Sequence, residues 1–260
     1  CLNRGCIPAK AFLETAAANR HVAHASEFGI NANSTGIDFS VSQARKARIV
    51  DGLVKGLTGL TKSKKVTYFL GTGSLEASRS VNIAMADGTA KKIQATNVIL
   101  ASGSVPRTIK GFPIGGSIMT SDEVLMLNTI SKRIAVIGGG AIGCEFASTF
   151  ADLGSQVSIL EGAPKILPGL DPDVANVVVK SFTKKKINIK TGIVVTGQSS
   201  LPDGSTQITF ATGDPLIVDV VIMSIGRRAF SDALGLAGTN VKVDDRGFVV
   251  VNDYCETGEA

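Results

Sequence analysis

The sequence predicts an α/β fold organised on a mainly parallel sheet. Three observations predict it. From residue 134 onward, short apolar strands alternate with helical segments. An apolar run at Ile134–Ile137 passes straight into a glycine cluster and then into a helical pattern, the signature of a βαβ unit. The 260 residues, 44% hydrophobic and 19% charged, are enough for one or two packed cores.

Taken in order, residues 3–26 carry apolar positions at helical spacing (Ile7, Phe12, Leu13, Ala16, Ala17, Val22), and residues 41–61 read as a second amphipathic helix. The runs "VTYFLGTGSL", "SVNIAMADGTAKKIQ" and "NVILASGS" read as short strands broken by Gly, Asp and Ser. A loop rich in Gly and Pro, "GSVPRTIKGFPIGGS", follows and marks a domain boundary near residues 108–120. After the strand at Ile134–Ile137 come a helix at about 141–153, a strand at Val157–Leu160 and a helix at about 172–186. The strands "INIK", "IVVTG", "TQITFA" and "VDVVIMSIG" complete the segment. The chain stops at "VNDYCETGEA" and starts on a cysteine, so both ends are expected to be cuts in a longer protein.

Composition narrows the function classes. The net charge is +5, with lysines at Lys62–Lys65 and Lys184–Lys186, but aromatics are only 5% with no Trp, which argues against base stacking. Short lysine runs of this kind read as solvated helix ends, so no nucleic-acid partner is expected. No apolar run approaches the ~18 residues of a membrane span, and no membrane partner is expected. Four cysteines are too few for a disulfide-built secreted domain, which fits a reducing compartment: cytoplasm, or mitochondrial or plastid matrix in a eukaryote.

Two of those cysteines, in "CLNRGCIPAK", are five positions apart. In a regular helix they would be displaced by roughly 7.5 Å along the axis, whereas a disulfide wants its Cα atoms closer than about 7 Å. A bridge therefore needs a distorted turn, which Gly5 permits and Pro8 tolerates just after it. Closing so short a loop stabilises by only about 2 kcal/mol, so reversible redox chemistry is the better use of a bridged pair. Two buried free thiols are the alternative, because this spacing alone is a weak signal.

"GGGAIG" supplies Gly138, Gly140 and Gly143 in the Gly-x-Gly-x-x-Gly order, straight after a strand and straight into a helix. Gly138 is expected to make the tight turn, Gly140 to let a pyrophosphate approach the backbone, and Gly143 to let helix and strand pack closely. A pyrophosphate would sit over the helix N-terminus. Glu161 ends the second strand, 23 residues after Gly138, where a carboxylate can accept hydrogen bonds from a ribose diol. That favours NAD over NADP, whose 2′-phosphate a carboxylate would repel.

With these motifs in order, "CLNRGCIPAK", "ILASGSVPR", "IAVIGGGAIGCEFA", "VSILE", "MSIGRR" and "DDRGFVVVN", the chain resembles the FAD-dependent disulfide reductases over nearly its whole length, and within them the branch that oxidises protein-bound dihydrolipoyl groups. The resemblance implies two Rossmann-like dinucleotide-binding domains: a partial FAD domain at 1–115, a complete NAD domain with a parallel sheet at 116–246, and a truncated return segment at 247–260. It implies that Cys1 exchanges with the substrate dithiol and that Cys6 is the sulfur nearest the flavin. It places Lys10 beside the flavin and Ser102, Gly103 and Ser104 at a turn touching FAD. It gives Gly138, Gly139, Gly140, Ala141, Ile142, Gly143 and Glu161 to NAD, Glu145 to the nicotinamide end, and Val195 and Gly226 to further NAD contacts. No metal site is expected.

The resemblance also implies partners: the lipoyl domain of a 2-oxoacid dehydrogenase or glycine cleavage complex, and a second copy in a homodimer. The family's upstream glycine turn for FAD, its Ala-x-Gly-Asp stretch and its C-terminal dimerisation domain with a His–Glu pair are not in this sequence, so the fragment alone is expected to be inactive. His21 and His24 do not match that histidine and are expected at the surface. Arg4 and Ala9 depart from the residues usual at their positions and read as tolerated variation. A sibling reductase acting on glutathione or mercuric ion, or a non-catalytic NAD-binding module, are the competing readings.

Overall fold

The computed structural model describes residues 1–259. The helices are α1 (Cys6–Ala23), α2 (Phe39–Ser63), α3 (Ser121–Val124), α4 (Ala141–Asp152) and α5 (Pro172–Lys184). The strands are β1 (Gly71–Glu76), β2 (Ser80–Met85), β3 (Ala90–Gln94), β4 (Ser104–Pro106), β5 (Ile118–Thr120), β6 (Arg133–Ile137), β7 (Gln156–Glu161), β8 (Asn188–Thr191), β9 (Val195–Ser200), β10 (Thr206–Phe210), β11 (Leu216–Val218), β12 (Val220–Met223) and β13 (Arg227–Ala229). The chain divides into two compact units, Cys1–Thr58 with Pro106–Gly226, and Gly59–Val105 with the segment from Arg227 onward. This is a division by packing and is not contiguous in sequence.

The first unit is built around a five-stranded parallel sheet in the order β5-β12-β6-β7-β8. Central β6 is apolar from Ile134 to Ile137 because both of its faces are covered there, as parallel strands require. Its side chains alternate with the strand period of two. Ile134 and Val136 join the core that contains Phe12, Phe146, Ala147 and Phe150 of α1 and α4. Ala135 and Ile137 join the core with Ile208 and Val218 of the antiparallel sheet β11-β10-β9. Asp219 separates β11 from β12, so the run expected as one strand at 218–226 is two. Its carboxylate accepts from the Arg133 backbone N–H at 2.8 Å and from the guanidinium at 2.5 and 3.1 Å, and its own N–H donates to the Arg133 carbonyl at 2.9 Å. This fork lets the chain leave one sheet and enter the other without an orphaned backbone group.

The second unit contains the meander β1-β2-β3, and β13 pairs with β4 in a two-stranded ladder. The strand expected over residues 97–104 does not form: only Ser104 at its end is in a strand, and Ile99 is 88% exposed. An extended run becomes a strand only by pairing, and no described strand pairs with residues 97–103. The first helix begins at Cys6 and not at residue 3, because Gly5 precedes it with φ +100°, outside the helical region. Residues 66–70, also expected as strand, are unpaired.

Candidate functional site

The parallel sheet places its strand ends at one edge. β6, β7 and β12 finish at Ile137, Glu161 and Met223, and outside these carboxyl ends lies a cleft of about 690 Å³. This is where open α/β sheets hold ligands. Seven of the expected nucleotide residues line it: Gly138, Gly140, Ala141, Ile142, Glu161, Val195 and Gly226.

Each glycine of the turn has a separate physical reason. Gly138 has φ +105°, and a Cβ there would lie 2.4 Å from the Ser224 carbonyl oxygen. A Cβ on Gly143 would lie 2.0 Å from the Gly138 carbonyl oxygen and 3.1 Å from Val136, so the helix sits directly on the turn. Gly140 is different: nothing lies within 4 Å of its missing Cβ. It is the N-cap of α4, with no side chain capping the first turn, so the N–H groups there are free to receive an anion. Gly139 points the other way, toward Ile166, and does not line the cleft.

Glu161 is held in place by two backbone donors. Oε2 accepts from the Gly139 N–H at 2.6 Å and Oε1 from the Ala163 N–H at 2.7 Å. Each oxygen keeps a further lone pair for a hydroxyl in the cleft. Below the turn, the Cys144 thiol donates to the Gly139 carbonyl oxygen at 3.4 Å. Burial pushes that thiol's pKa up to about 11, helped by the nearby charges of Glu161 and Glu145. A neutral buried thiol of this kind is inert.

Cys1 and Cys6 form a disulfide with their Cα atoms 4.6 Å apart. The geometry differs from two positions on one helix: Cys1 lies ahead of α1, and the turn through Gly5 folds it back so that its carbonyl accepts from the Ile7 N–H at 3.0 Å. One turn further along α1, Lys10 forms an ion pair with Glu145 of α4. These two expected site residues, 135 positions apart, therefore meet each other and lie outside the cleft lining.

In the second unit, a cleft of about 950 Å³ is lined in part by Ser102 and Gly103. Gly103 has φ +74°, and its carbonyl accepts from the Phe230 N–H at 3.1 Å. Ser104 does not line that cleft; its hydroxyl accepts from Arg227 Nε at 2.7 Å. His24 is exposed and bonded to Glu27 at 2.9 Å, at the surface as expected. No group of three or more His, Cys, Asp or Glu side chains suited to a metal occurs among the described residues, and no described helix is long and apolar enough to cross a membrane.

Sequence reasoning missed Ser224, Ile225 and Pro168, which also line this first-unit cleft. A signal for the first two exists: they follow β12, whose neighbour β6 ends in the glycine turn, and adjacent parallel strands bring their carboxyl ends together. Pro168 lies in a loop and has no such signal.

Comparison with known proteins places the chain in a family. The family of pyridine nucleotide-disulphide oxidoreductases matches residues 1–260. The chain is 38% identical over 258 residues to dihydrolipoyl dehydrogenase of Chlamydia pneumoniae, covering 99% of this chain and 55% of that protein. It is 34% identical over 260 residues to dihydrolipoyl dehydrogenase of Bacillus subtilis, again covering 99% and 55%. The chain thus spans about half the length of the curated relatives it matches. Among solved structures, LpdA from Mycobacterium tuberculosis superposes with a TM-score of 0.91 at 20% identity, covering 98% of this chain and 56% of that one, a likeness of fold. The copper(II) complex of the HOCl-induced flavoprotein disulfide reductase RclA from Escherichia coli gives 0.85 at 25% identity, covering 99% and 54%.

Proposed function

The chain belongs to the pyridine nucleotide-disulphide oxidoreductases, and from that premise we propose that its parent protein oxidises a protein-bound dihydrolipoyl dithiol with NAD. The observation that carries the reading is the Cys1–Cys6 disulfide at the head of a helix tied through Lys10 to the helix behind the glycine turn. The dihydrolipoyl dehydrogenases of Chlamydia and Bacillus, 34–39% identical over nearly the whole chain, support the substrate class.

The site fits the groups this chemistry requires. The space before Gly140, the free N–H groups of α4 and the fixed Glu161 carboxylate suit a dinucleotide with an unmodified ribose diol. We assign NAD to Gly138, Gly139, Gly140, Ala141, Ile142, Gly143, Glu161, Val195 and Gly226, with Glu145 near its nicotinamide end. FAD is assigned to Lys10, Ser102, Gly103 and Ser104 together with residues outside this chain. The division into a partial FAD domain (1–115), an NAD domain (116–246) and a return segment (247–260) follows from these assignments. When bound, the flavin and the nicotinamide carry the two electrons onward from the dithiol.

The chain's own part is thiol–disulfide exchange. A substrate thiolate attacks Cys1 Sγ, the Cys1–Cys6 bond breaks, and Cys6 leaves as thiolate. The second substrate thiol, deprotonated by a base, attacks the sulfur of the mixed disulfide that belongs to the substrate. This releases the cyclic lipoyl disulfide and leaves Cys1 and Cys6 reduced by two electrons. The base is assigned to the His–Glu pair of a partner subunit in a homodimer, and the dithiol to the lipoyl domain of a 2-oxoacid dehydrogenase or glycine cleavage complex.

The test is Cys6→Ser in the complete polypeptide. The reading expects dihydrolipoyl turnover to fall by at least about 10³-fold, as for loss of a covalent nucleophilic route; undiminished turnover overturns it. Comparing NADH with NADPH in the reverse direction tests the cofactor, and clear preference for NADPH moves the protein to a sibling reductase.

A further inference from the structure

The two ends of α1 are both fastened to α4, and only one fastening belongs to the site described above. α1 lies against α4 through Ala9, Phe12, Ala16, Ala147 and Phe150 in one core. Lys10 meets Glu145 near the start of both helices. Near the end of both, Asn19 Nδ2 donates to the Asp152 carbonyl at 2.7 Å and Arg20 forms an ion pair with the Asp152 carboxylate. Positions 10 and 20 of one helix thus match 145 and 152 of the other, so the two run parallel with their N-termini at the same end. That end carries Cys6 on one helix and the glycine turn on the other.

The distal fastening is built with unusual care. The Asp152 side chain is 7% exposed and is also held by Lys185 Nζ at 2.7 Å. Lys185 caps the last turn of α5 and also donates to Ser148 at 2.8 Å. The carboxyl ends of α1, α4 and α5 therefore converge, and Arg20 and Lys185 supply positive charge where three helix dipoles and a carboxylate are negative. A buried carboxylate with two cationic partners fixes geometry more than it adds stability, because desolvation offsets the attraction.

We propose that Arg20 is a positioning residue: acting through Asp152, it sets the register of α1 on α4 and so sets where the Cys1–Cys6 pair stands relative to the glycine turn. Arg20 lies outside the lining of the cleft at the glycine turn. It completes a second point of attachment, without which only the Asn19 bond and the apolar contacts resist a shift of α1 about the Lys10–Glu145 contact. The inference rests on the redox reading for its functional consequence, but not for its structural one.

Two variants of the full-length, flavin-loaded protein separate positioning from plain stabilisation. Arg20→Gln cuts the link from α1 to Asp152, whereas Lys185→Gln cuts the link from α5 and leaves α1 attached. Two readouts apply: hydrogen exchange of α1 amides, and NADH-driven reduction of the Cys1–Cys6 disulfide followed as thiol release. With Arg20→Gln, α1 amides are expected to exchange faster by about tenfold, and the rate of disulfide reduction at saturating NADH to fall by about tenfold with the half-saturating NADH concentration unchanged. Lys185→Gln leaves both α1 exchange and the reduction rate within twofold of wild type, and Arg20→Lys restores most of what Arg20→Gln loses. Asn19→Ala, which removes only the bond to the Asp152 carbonyl, moves both readouts in the same direction by less and serves if Arg20→Gln does not accumulate. Equal effects of Arg20→Gln and Lys185→Gln, or no effect of either, overturn the proposal. If the wild-type protein turns over no dihydrolipoyl substrate, the functional reading fails while the exchange comparison still decides the register claim.

Discussion

The two units of the chain are held together by different means. The first contains both buried clusters, in which Val124, Ala135, Val136, Ala147, Ile159, Ile208, Val221 and Ile222 are inaccessible to solvent. The second buries little beyond Leu75, Ile83 and Val241, and it exposes Tyr68, Leu70, Ile99 and Tyr254, each by more than half. Backbone hydrogen bonds hold its meander and ladder, with little apolar surface behind them. Sheet pairing alone defines a shape, while packing on both faces of a sheet makes it rigid enough to hold a cleft open at its strand ends.

The sharpest way to break the comparison is at the glycine turn. Gly143→Ala sets a Cβ 2.0 Å from a carbonyl oxygen, and a loss of about 3–5 kcal/mol is expected in chemical denaturation followed by circular dichroism. Gly140→Ala, with open space before it, leaves the melting temperature unchanged and instead weakens NADH binding by calorimetry. Next in size is core truncation. Ile222→Ala in the first unit is expected to cost about 3–4 kcal/mol, and Ile99→Ala in the second is neutral within about 0.5 kcal/mol; equal losses would erase the contrast between the units.

Thiol chemistry gives a graded test. At pH 8 a buried thiol with pKa about 11 holds roughly a thousandth of its population as thiolate. Iodoacetamide mapping by mass spectrometry is therefore expected to label exposed Cys255 in the native chain and to reach Cys144 only on unfolding. The smallest effect concerns Asp219, whose carboxyl is held below its ordinary value of 3.8 chiefly by its hydrogen bonds from Arg133, against partial desolvation. A carboxyl with a depressed folded pKa contributes stability above its unfolded pKa and loses it as pH falls through the folded one. Asp219→Asn is thus expected to be less stable than wild type near neutrality, and the two denaturation curves converge below about pH 4.

The first unit was more legible than the second for a physical reason. Strand β6, the glycine turn, α4 and β7 are neighbours in sequence, so periodicity and glycine placement report them directly. The Glu161 carboxylate was legible as a residue but not in its bonds, because its backbone donors depend on how the loop at 162–163 folds back. The Lys10–Glu145 and Arg20–Asp152 pairs left no local mark: charges more than 130 positions apart meet only through packing. Residues 97–103 were misread because an apolar run reports a tendency to pair and says nothing about whether a partner strand is present.

The distance between Lys10 and Glu145 along the chain has a consequence for biosynthesis. At about 5–20 residues per second, the 135 residues between them take roughly 7–27 seconds to translate. For a delay of that length the segment bearing Cys1 and Cys6 lacks the helix it will lie against. Cellular thiols have that window in which to act on it, and a late docking step over so long a separation is slow on topological grounds.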